Sequence, residues 1–464
     1  MANELARWQF GTTTVYHFFF VPVTIGLAFL VAILQTVWYR TDQPEYKRMT
    51  RFFGTLLLIN VAIGVVTGLV QEFQFGMNWS TYSRFVGGVF GAPLAMEGLV
   101  AFFLESTFIG LWVFGWDRLP KRVHLGCIWA VSIGSLLSAM FILIANSWMQ
   151  HPVGYKLSHG QAQLNNVWAL FVNPTFVWGY AHVVLASLIT GSLVMLAVSA
   201  WYLRKGAHVE SFRHTAKVAL LVLLPAIVIQ MSVGNQLGVI ENEYQPMKIA
   251  AAEAQWNSCQ PCSFSAFQFG GGASDQTPIE IIPIPHLLSV LATGTWNGAV
   301  TGLNQLQAQY QRRFGPGNYV PDVFIQYWSM RVMAYLGSLV LLLALWGGWL
   351  LHRGRLERSR LFLTLSVWAV ITPFLMNTAG WLLTESGRQP WIVQGLQKTV
   401  QASSPSVSAT EIWISLIAFV GAYIVLGAAD LTLMLRYSRR GLAEADADAA
   451  APEPPAGAFP ALTY

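Results

Sequence analysis

The stretch YWSMRVMAYLGSLVLLLALWGGWLL, residues 327–351, is a nearly continuous apolar run that contains a single charged side chain, Arg331. An α-helix needs about 20 predominantly apolar residues to cross the hydrocarbon core of a bilayer, and this run supplies them. Its apolar residues are continuous and do not alternate with polar ones, which favours a helix over a strand of a membrane barrel. The sequence therefore predicts a transmembrane helix here.

Similar apolar runs recur along the whole chain. There are nine, at approximately residues 13–39, 52–75, 92–115, 123–147, 174–203, 215–235, 326–351, 361–384 and 409–436. The composition agrees with this pattern, because 54% of the residues are hydrophobic and only 11% are charged, whereas a soluble domain carries about 25% charged residues. The predicted fold class is an all-α integral membrane protein, a bundle of about nine transmembrane helices.

Lysine and arginine residues lie mainly in alternate connections between these runs. They cluster at residues 40–51, 118–122, 204–217, 353–360 and 436–440. Because loops rich in Lys and Arg stay on the cytoplasmic side of a membrane, this bias predicts an N-terminus outside, a C-terminus in the cytoplasm and a large extracytoplasmic loop. The net charge of +5 follows from the same topology, so nucleic-acid binding is not predicted.

This topology divides the chain into four parts. Residues 1–235 hold transmembrane helices 1–6, residues 236–325 form the extracytoplasmic loop, residues 326–440 hold helices 7–9, and residues 441–464 form a cytoplasmic tail. The tail is rich in Ala, Pro and acidic residues and has little apolar surface to bury, so it is predicted to be disordered. The loop contains a helix-like patch, NEYQPMKIAAAEAQW, and further apolar segments, which predict a folded lid rather than a flexible tether.

The loop also contains Cys259 and Cys262 in the sequence CQPC. On the outer side of a membrane such a pair can form a disulfide, whereas a metal site would need more ligands than the pair offers. The third cysteine, Cys127, lies within a predicted helix and is expected to be a packing residue. The sequence leaves the role of the CQPC pair open.

Two histidines and one methionine lie within apolar runs, and His182 and Met333 lie at a similar predicted depth. His17 is in helix 1, His182 in helix 5 and Met333 in helix 7, all toward the outer face. Each one alone is more often a packing residue, because a backbone carbonyl can satisfy a buried imidazole and methionine fills space. An imidazole and a thioether on facing helices, as for His182 and Met333, are also suited to ligate a six-coordinate haem iron.

Charged residues within the predicted spans are further candidates, because a charge inside a membrane is costly. Arg331 lies near Met333, where its guanidinium can neutralise a haem propionate or a quinone oxygen, or extend to the membrane surface. Glu97 and Glu105 lie about 12 Å apart along helix 3, and both can face one interior. Two acids in one span favour a proton relay over a single protonated, hydrogen-bonded carboxyl group.

Several longer motifs accompany these residues. They are WQFGTTTVYHFFFVP around His17, FQFGMNWSTYSRFVGGVFGAPLAMEGLVAFFLEST around Glu97 and Glu105, KIAAAEAQW in the loop, and GRQPW just after Glu385 at the end of helix 8. Together they resemble subunit I of the cytochrome bd quinol oxidases, and the likeness extends from about residue 5 to residue 437. The loop resembles that of the family members that lack a long insertion in its C-terminal half.

The resemblance implies a set of haem ligands. His182 and Met333 match the axial ligands of the low-spin haem b. His17 and Glu385 match the ligands of two high-spin haems, one haem b and one haem d. Relatives differ in which pocket holds haem d, and we assign His17 to haem d and Glu385 to the high-spin haem b. Arg331 matches an arginine of the low-spin haem site, where it would compensate the charge of a propionate or of reduced quinone.

The same resemblance implies residues for proton transfer and substrate binding. The candidate catalytic residues share a position on the family's proton route or beside its pair of high-spin haems: they are Glu97, Glu105, Ser138, Trp381 and Arg388. Lys248 and Glu253 match loop residues implicated in quinol oxidation, so the segment 236–325 corresponds to the family's quinol-binding loop.

The activity and partners that the resemblance implies are those of a respiratory enzyme. It would oxidise quinol at the outer face of the bacterial cytoplasmic membrane and reduce O2 to water with protons from the cytoplasm, generating proton motive force without pumping. Its partners would be a homologous second subunit, quinol, O2 and the lipid bilayer, with small single-helix subunits as a further option.

Three other functions are alternatives on the sequence. A haem b subunit that transfers electrons without reducing oxygen would need His182 and Met333 but not His17 and Glu385. A transporter would need none of these ligands and would more typically show internal repeats or broken helices. A bd-like oxidase with haem b in place of haem d would use the same residues.

Overall fold

The computed structural model describes residues 2–442, and this part of the chain is mainly helical. It contains nine helical spans that are long and apolar enough to cross a membrane. The predicted fold class, an all-α integral membrane protein with nine spans and a large loop, is confirmed. The helices extend past the predicted limits, as in the first span, which begins at Ala2 rather than near residue 13. Hydropathy marks the part of a helix suited to lipid, whereas the hydrogen-bonded helix continues into polar residues beyond it.

The first six spans occupy the N-terminal half of the chain. The helices and strands of this half are α1 (Ala2–Thr41), α2 (Pro44–Met77), α3 (Ser80–Met96), α4 (Phe103–Phe114), α5 (Lys121–Gln150), β1 (Tyr155–Ser158), β2 (Gln161–Leu164), α6 (Val167–Phe171), α7 (Pro174–Lys205) and α8 (Val209–Tyr244). In the third span, α3 and α4 are joined by a π-helical segment, Glu97–Phe102. α8 continues beyond residue 236, where the loop was predicted to begin, because its last turns are polar but still helical.

The long loop that follows α8 is folded. Its elements are α9 (Pro246–Ala252), β3 (Phe264–Ser265), β4 (Gln268–Phe269), β5 (Ile279–Glu280), β6 (Pro283–Ile284), α10 (Leu287–Thr293) and α11 (Leu303–Phe314). β3 pairs with β6 and β4 pairs with β5, both antiparallel. Cys259 and Cys262 form a disulfide, and Cys127 is a buried free cysteine, as expected for a packing residue.

The last three spans follow the loop. The elements of this part are α12 (Val323–His352), α13 (Arg360–Trp368), α14 (Thr372–Gly387), β7 (Trp391–Val393), β8 (Gln397–Lys398) and α15 (Ala409–Arg439). α13 and α14 form one span through a short 3₁₀ segment, Ala369–Ile371. Of the tail predicted to be disordered, Gly441 and Leu442 pack against the bundle, where the Gly441 amide donates to the Tyr202 hydroxyl at 2.9 Å. The rest of that tail lies outside the described residues.

Two glycines let the central helices approach closely. A Cβ atom built on Gly26 of α1 would lie 2.2 Å from the carbonyl oxygen of Ser187 in α7, and one built on Gly191 of α7 would lie 2.5 Å from the carbonyl carbon of Gly26. Backbone contact of this kind is typical of helices that associate within membranes. It fixes α1 against α7, the two helices that carry the candidate histidines.

Candidate functional site

His17 of α1 is held in a defined tautomer. Its Nδ1 lies 2.9 Å from the hydroxyl of Thr67 in α2. Because that hydroxyl donates to the carbonyl oxygen of Gly64 at 2.9 Å, we infer that it accepts from Nδ1–H, which leaves a lone pair on Nε2. Gly68 provides room beside the ring, since a Cβ atom there would approach Cε1 at 3.1 Å. An imidazole oriented in this way is typical of a metal ligand.

His182 and Met333 are contributed by different helices. The ring of His182 in α7 lies beside Gly234 of α8, where a built Cβ atom would be 3.4 Å from Cε1. Within residues 2–442, its buried Nδ1 has no hydrogen-bond partner. Met333 of α12 faces α14, and its Sδ would lie 3.6 Å from a Cβ atom at Gly380. The surrounding protein therefore leaves a ring nitrogen of His182 free for a ligand.

Glu385 lies near the end of α14 and uses both carboxylate oxygens. Oε1 accepts from Nδ2 of Asn146 in α5 at 2.9 Å, and Oε2 accepts from Nη2 of Arg388. Arg388 is only 3% exposed, and its Nε and Nη1 have no partner in the described part of the chain. Buried donors without acceptors are costly, so this site is suited to a further anionic group.

Trp381 connects this site to His17. It lies one turn before Glu385 on α14, and its ring packs edge-on against that of Phe18 in α1, with the centroids 4.9 Å apart. Phe18 follows His17 directly in the chain. The structure thus brings α1 and α14 together at the level of both predicted ligands.

Glu97 and Glu105 both bind serines of α5. Ser138 donates to Oε1 of Glu97 at 2.8 Å, and Ser135 donates to Oε1 of Glu105 at 2.7 Å. The π-helical segment that begins at Glu97 was not predicted; such segments frequently occur at functional sites. The prediction that Glu97 and Glu105 face one interior agrees with these contacts.

One face of α5 therefore carries a row of polar contacts. At 100° per residue, Ser135, Ser138 and Asn146 lie within an arc of about 80°, and they extend about 16 Å along the helix. Their acceptors are Glu105, Glu97 and Glu385 in that order. The row connects the middle of the bundle to the site at the end of α14.

Lys248 of α9 is fully buried, with 0% of its surface exposed. Its Nζ donates to Oε1 of Gln150 at 2.9 Å and to Oε1 of Glu241 at 3.1 Å. Burial lowers the pKa of Lys248, and the neighbouring carboxylate of Glu241 opposes this shift. A Cβ atom at Gly387 would lie 2.6 Å from Cγ of Lys248, so the lysine stem packs against the chain immediately before Arg388.

Glu253 follows α9 and forms a buried ion pair with Arg331. Nη2 of Arg331 donates to Oε2 of Glu253 at 2.6 Å and to the carbonyl oxygen of Ser265 at 2.8 Å. The guanidinium lies 3.8 Å from the ring centroid of Tyr327. Arg331 is 1% exposed, which excludes the alternative that its head group extends to the membrane surface.

The environment of Glu253 leaves part of its carboxylate free. Within the described residues, its buried Oε1 has no hydrogen-bond partner. Burial raises the pKa of Glu253, and the charge and hydrogen bond of Arg331 oppose this shift. Lys248 and Glu253 are thus close in sequence but belong to two separate charge networks.

Several residues of the site were not predicted from the sequence. They are Thr67, Ser135, Asn146, Gln150 and Glu241, each of which positions a predicted residue through a hydrogen bond. For the three in α5 a signal was present, since SLLSAMFILIANSWMQ places its polar residues largely on one helical face. Thr67 and Glu241 carry no comparable signal, because Thr67 is a single polar residue in an apolar stretch of α2 and Glu241 is one of several polar residues in the last turns of α8.

Comparisons with known proteins identify the family of this fold and site. Residues 5–442 match the family described as cytochrome bd terminal oxidase subunit I. The chain is 46% identical to cytochrome bd ubiquinol oxidase subunit 1 of Bacillus subtilis (strain 168), over 94% of this chain and 93% of the relative. It is 36% identical to cytochrome bd-II ubiquinol oxidase subunit 1 of Escherichia coli (strain K12), over 94% and 96% of the two chains.

A solved structure shows the same architecture. The chain is similar to one in the structure of bd oxidase from Geobacillus thermodenitrificans, with a TM-score of 0.86 and 30% sequence identity, over 95% of this chain and 99% of the other. The family match covers nearly all described residues, and the relatives align over nearly their full lengths. The chain therefore belongs to the cytochrome bd terminal oxidase subunit I family.

Proposed function

We propose that this chain is the haem-carrying subunit of a quinol:oxygen oxidoreductase in the bacterial cytoplasmic membrane. The observation that carries the proposal is the row of polar contacts on α5. The acids that accept these hydrogen bonds follow one another from Glu105 through Glu97 to Glu385. Reduction of oxygen to water consumes protons, and such a row can deliver them. An electron-transfer subunit that does not reduce oxygen would not need it.

Four side chains would hold the haems. His182 and Met333 would bind the low-spin haem b, His17 would bind haem d, and Glu385 would bind the high-spin haem b. The lone pair on Nε2 of His17 and the unpartnered Nδ1 of His182 fit this role. Bound there, the haems would supply electron transfer from quinol and the iron at which oxygen is reduced.

Arg388 and Trp381 would support the high-spin pair. The two unpartnered donors of Arg388 fit a carboxylate such as a haem propionate. Trp381 holds α14 against α1 through its contact with Phe18, which fixes the distance between the His17 and Glu385 sites.

Quinol would be oxidised beside the long loop, at Glu253. Oxidation releases protons from the quinol hydroxyls, and the free Oε1 of Glu253 can accept a hydrogen bond or a proton there. The raised pKa of Glu253 suits it to that exchange. Arg331 holds the carboxylate in place and compensates negative charge, and Lys248 fixes α9 to the bundle.

The orientation follows from the distribution of basic residues. With the Lys- and Arg-rich connections in the cytoplasm, the loop lies outside, quinol protons leave outside, and protons for water enter from the cytoplasmic ends of α4 and α5. Charge separation then requires no pump. A homologous second subunit, with small single-helix subunits as a further option, would cover part of the apolar surface that α15 exposes at Ile414, Ile417 and Ile424.

A bd-like oxidase that carries haem b in place of haem d is the second candidate, because it would use the same ligands. A dithionite-reduced minus air-oxidised absorption spectrum of the purified complex, with haem extraction, separates the two. We expect a chlorin band in the red in addition to b-type signals. Only b-type haem would favour the second candidate, and no haem at all would overturn the ligand assignments.

Replacing Met333 with Leu tests the low-spin site. The substitution keeps the volume but removes the thioether, so we expect loss of the low-spin signal and a fall in quinol oxidation of roughly tenfold or more. Met376→Leu is the matched control, since Met376 lies at the same helix contact, with its Sδ 3.9 Å from a Cβ atom built on Gly337. An unchanged low-spin spectrum in Met333→Leu would remove this residue from the ligand set.

Glu253→Gln tests the quinol site. The variant keeps the side-chain shape but leaves the buried guanidinium of Arg331 without its counter-charge. We expect quinol turnover to fall roughly 10- to 100-fold while haem content stays at the wild-type level. Glu280→Gln, at an exposed glutamate of the same loop, should retain activity. Loss of haem from Glu253→Gln would instead show that the loop is a scaffold for the haem sites.

Proton delivery can be measured in vesicles that contain the oriented complex. We expect turnover to generate a membrane potential, and we expect Glu105→Gln to slow oxygen consumption roughly 100-fold, because the amide cannot carry a proton. Ser106→Ala, at the next residue, whose side chain is exposed, is the control. Wild-type turnover without a membrane potential would contradict proton uptake from the cytoplasm, and full activity of Glu105→Gln would remove Glu105 from the route.

A further inference from the structure

Residues 264–284 of the long loop form two short antiparallel strand pairs, one beyond the other. The first pairs Phe264 with Ile284 and the second pairs Phe269 with Ile279, and both chain segments bend between the pairs, at residues 266–267 and 281–282. Between them, the Ala266 amide donates to the carbonyl oxygen of Ile282 at 3.0 Å, and the Ile281 amide donates to that of Phe267 at 2.8 Å. We call residues 264–284 the loop hairpin.

One face of the loop hairpin is apolar and exposed. Phe267, Phe269, Ile279 and Ile281 adjoin one another here. Phe269 pairs with Ile279, so these two share a side, and a backbone hydrogen bond joins Ile281 to Phe267. Their exposed fractions are 42%, 68%, 70% and 51%. We call these four residues the apolar face. An apolar cluster of this kind usually marks a contact surface.

The loop hairpin is fastened along α12. The Tyr327 hydroxyl and Nη2 of Arg331 both donate to the carbonyl oxygen of Ser265, at 3.3 and 2.8 Å. One turn further, the Tyr335 hydroxyl donates to the carbonyl oxygen of Ala266. The ring of Phe267, on the apolar face, lies 5.4 Å from that of Tyr335. The first strand therefore follows α12 over successive turns.

The length of α12 gives an expected depth for this contact in a membrane. α12 ends at His352 and is followed by a charged segment that begins at Arg353. About 20 helical residues cross the hydrocarbon core, so the opposite boundary of the core lies near Val332. Tyr335 then lies about one turn inside that boundary, and its bond to Ala266 places the strand at the same level.

The surface of α12 around this level is itself exposed and apolar. Val332 is 37% exposed and Leu339 is 58% exposed, on either side of Tyr335 along the chain. The apolar face is thus continuous with a helix surface that has the length and composition to contact lipid. The loop hairpin contains no Lys or Arg, so attraction to anionic head groups would not contribute to its binding.

We propose that the apolar face of the loop hairpin contacts the acyl chains of the leaflet on the loop's side of the membrane. Non-helical backbone at this depth must satisfy its polar groups within the protein. The two strand pairs, the two hydrogen bonds between them and the Tyr335 hydroxyl satisfy a share of these groups. The proposal concerns a lipid contact and does not depend on the haem or quinol assignments.

The lipid contact also has a consequence for the neighbouring ion pair. Arg331 donates to both Glu253 and the carbonyl oxygen of Ser265, so the same guanidinium holds the buried carboxylate and the first strand of the loop hairpin. A hairpin anchored in the leaflet would keep this ion pair next to the lipid phase, where apolar molecules dissolve.

Spin labels in the complete complex, reconstituted in lipid nanodiscs, test the proposal. Nitroxides are attached at Ile281→Cys and, separately, at Ile279→Cys in a Cys127→Ser background, with the Cys259–Cys262 disulfide intact. Their relaxation by O2, which concentrates in lipid, is compared with that by a neutral, water-soluble nickel chelate. Leu339→Cys is the lipid-facing control, and Asp275→Cys, in the exposed turn between β4 and β5, is the aqueous control.

We expect the labels at 279 and 281 to be relaxed more strongly by O2 than by the nickel chelate, as at 339, and the label at 275 to show the reverse. Stronger relaxation by the nickel chelate at both 279 and 281 would place the apolar face in water and overturn the proposal. Weak relaxation by both reagents would show that a protein partner covers the face, which would overturn it as well. Haem content and oxygen consumption of each variant verify that the complex is folded.

Discussion

Charge compensation inside an apolar bundle is the constraint on which the arrangement of the loop depends. A guanidinium removed from water is costly unless it is paired and fully hydrogen-bonded. Arg331 is paired with Glu253, donates to the carbonyl oxygens of Ala252 and Ser265 and lies against the ring of Tyr327, so that within the described residues only its Nε lacks a partner. Glu253 and Ser265 belong to the long loop, so the loop must fold against α12 for the charge within that span to be tolerated.

A second buried charge, at Lys248 of α9, must also be compensated within the protein. Lys248 is buried, and its charge is met by Gln150 at the end of α5 and by Glu241 near the end of α8. α5 also carries Ser135, Ser138 and Asn146, which bind the three acids of the row. One helix therefore positions both the acids within the bundle and a lysine of the loop.

The sequence was sufficient to predict the fold class and the spans, because continuous apolar runs are local signals. It was also sufficient to single out Glu97 and Ser138, which the structure brings together. The partner of Arg331 could not be predicted, since Glu253 lies 78 residues away and no periodicity relates a loop residue to a helix residue. The loop hairpin was missed for a related reason: its strands are two residues long, and glycine-rich sequence separates them.

The placement of Lys248 and Glu253 limits how α9 can move. Both lie in or next to this seven-residue helix, but α5 and α8 hold the lysine and α12 holds the glutamate. Displacing α9 would break two ion pairs at once, Lys248–Glu241 and Arg331–Glu253, and breaking even one buried pair costs about 3–5 kcal/mol. The loop segment nearest the bundle is therefore held rigidly between two groups of helices. A substrate site built on it would keep a fixed distance to the side chains of α12 and α14, as electron transfer over short distances requires.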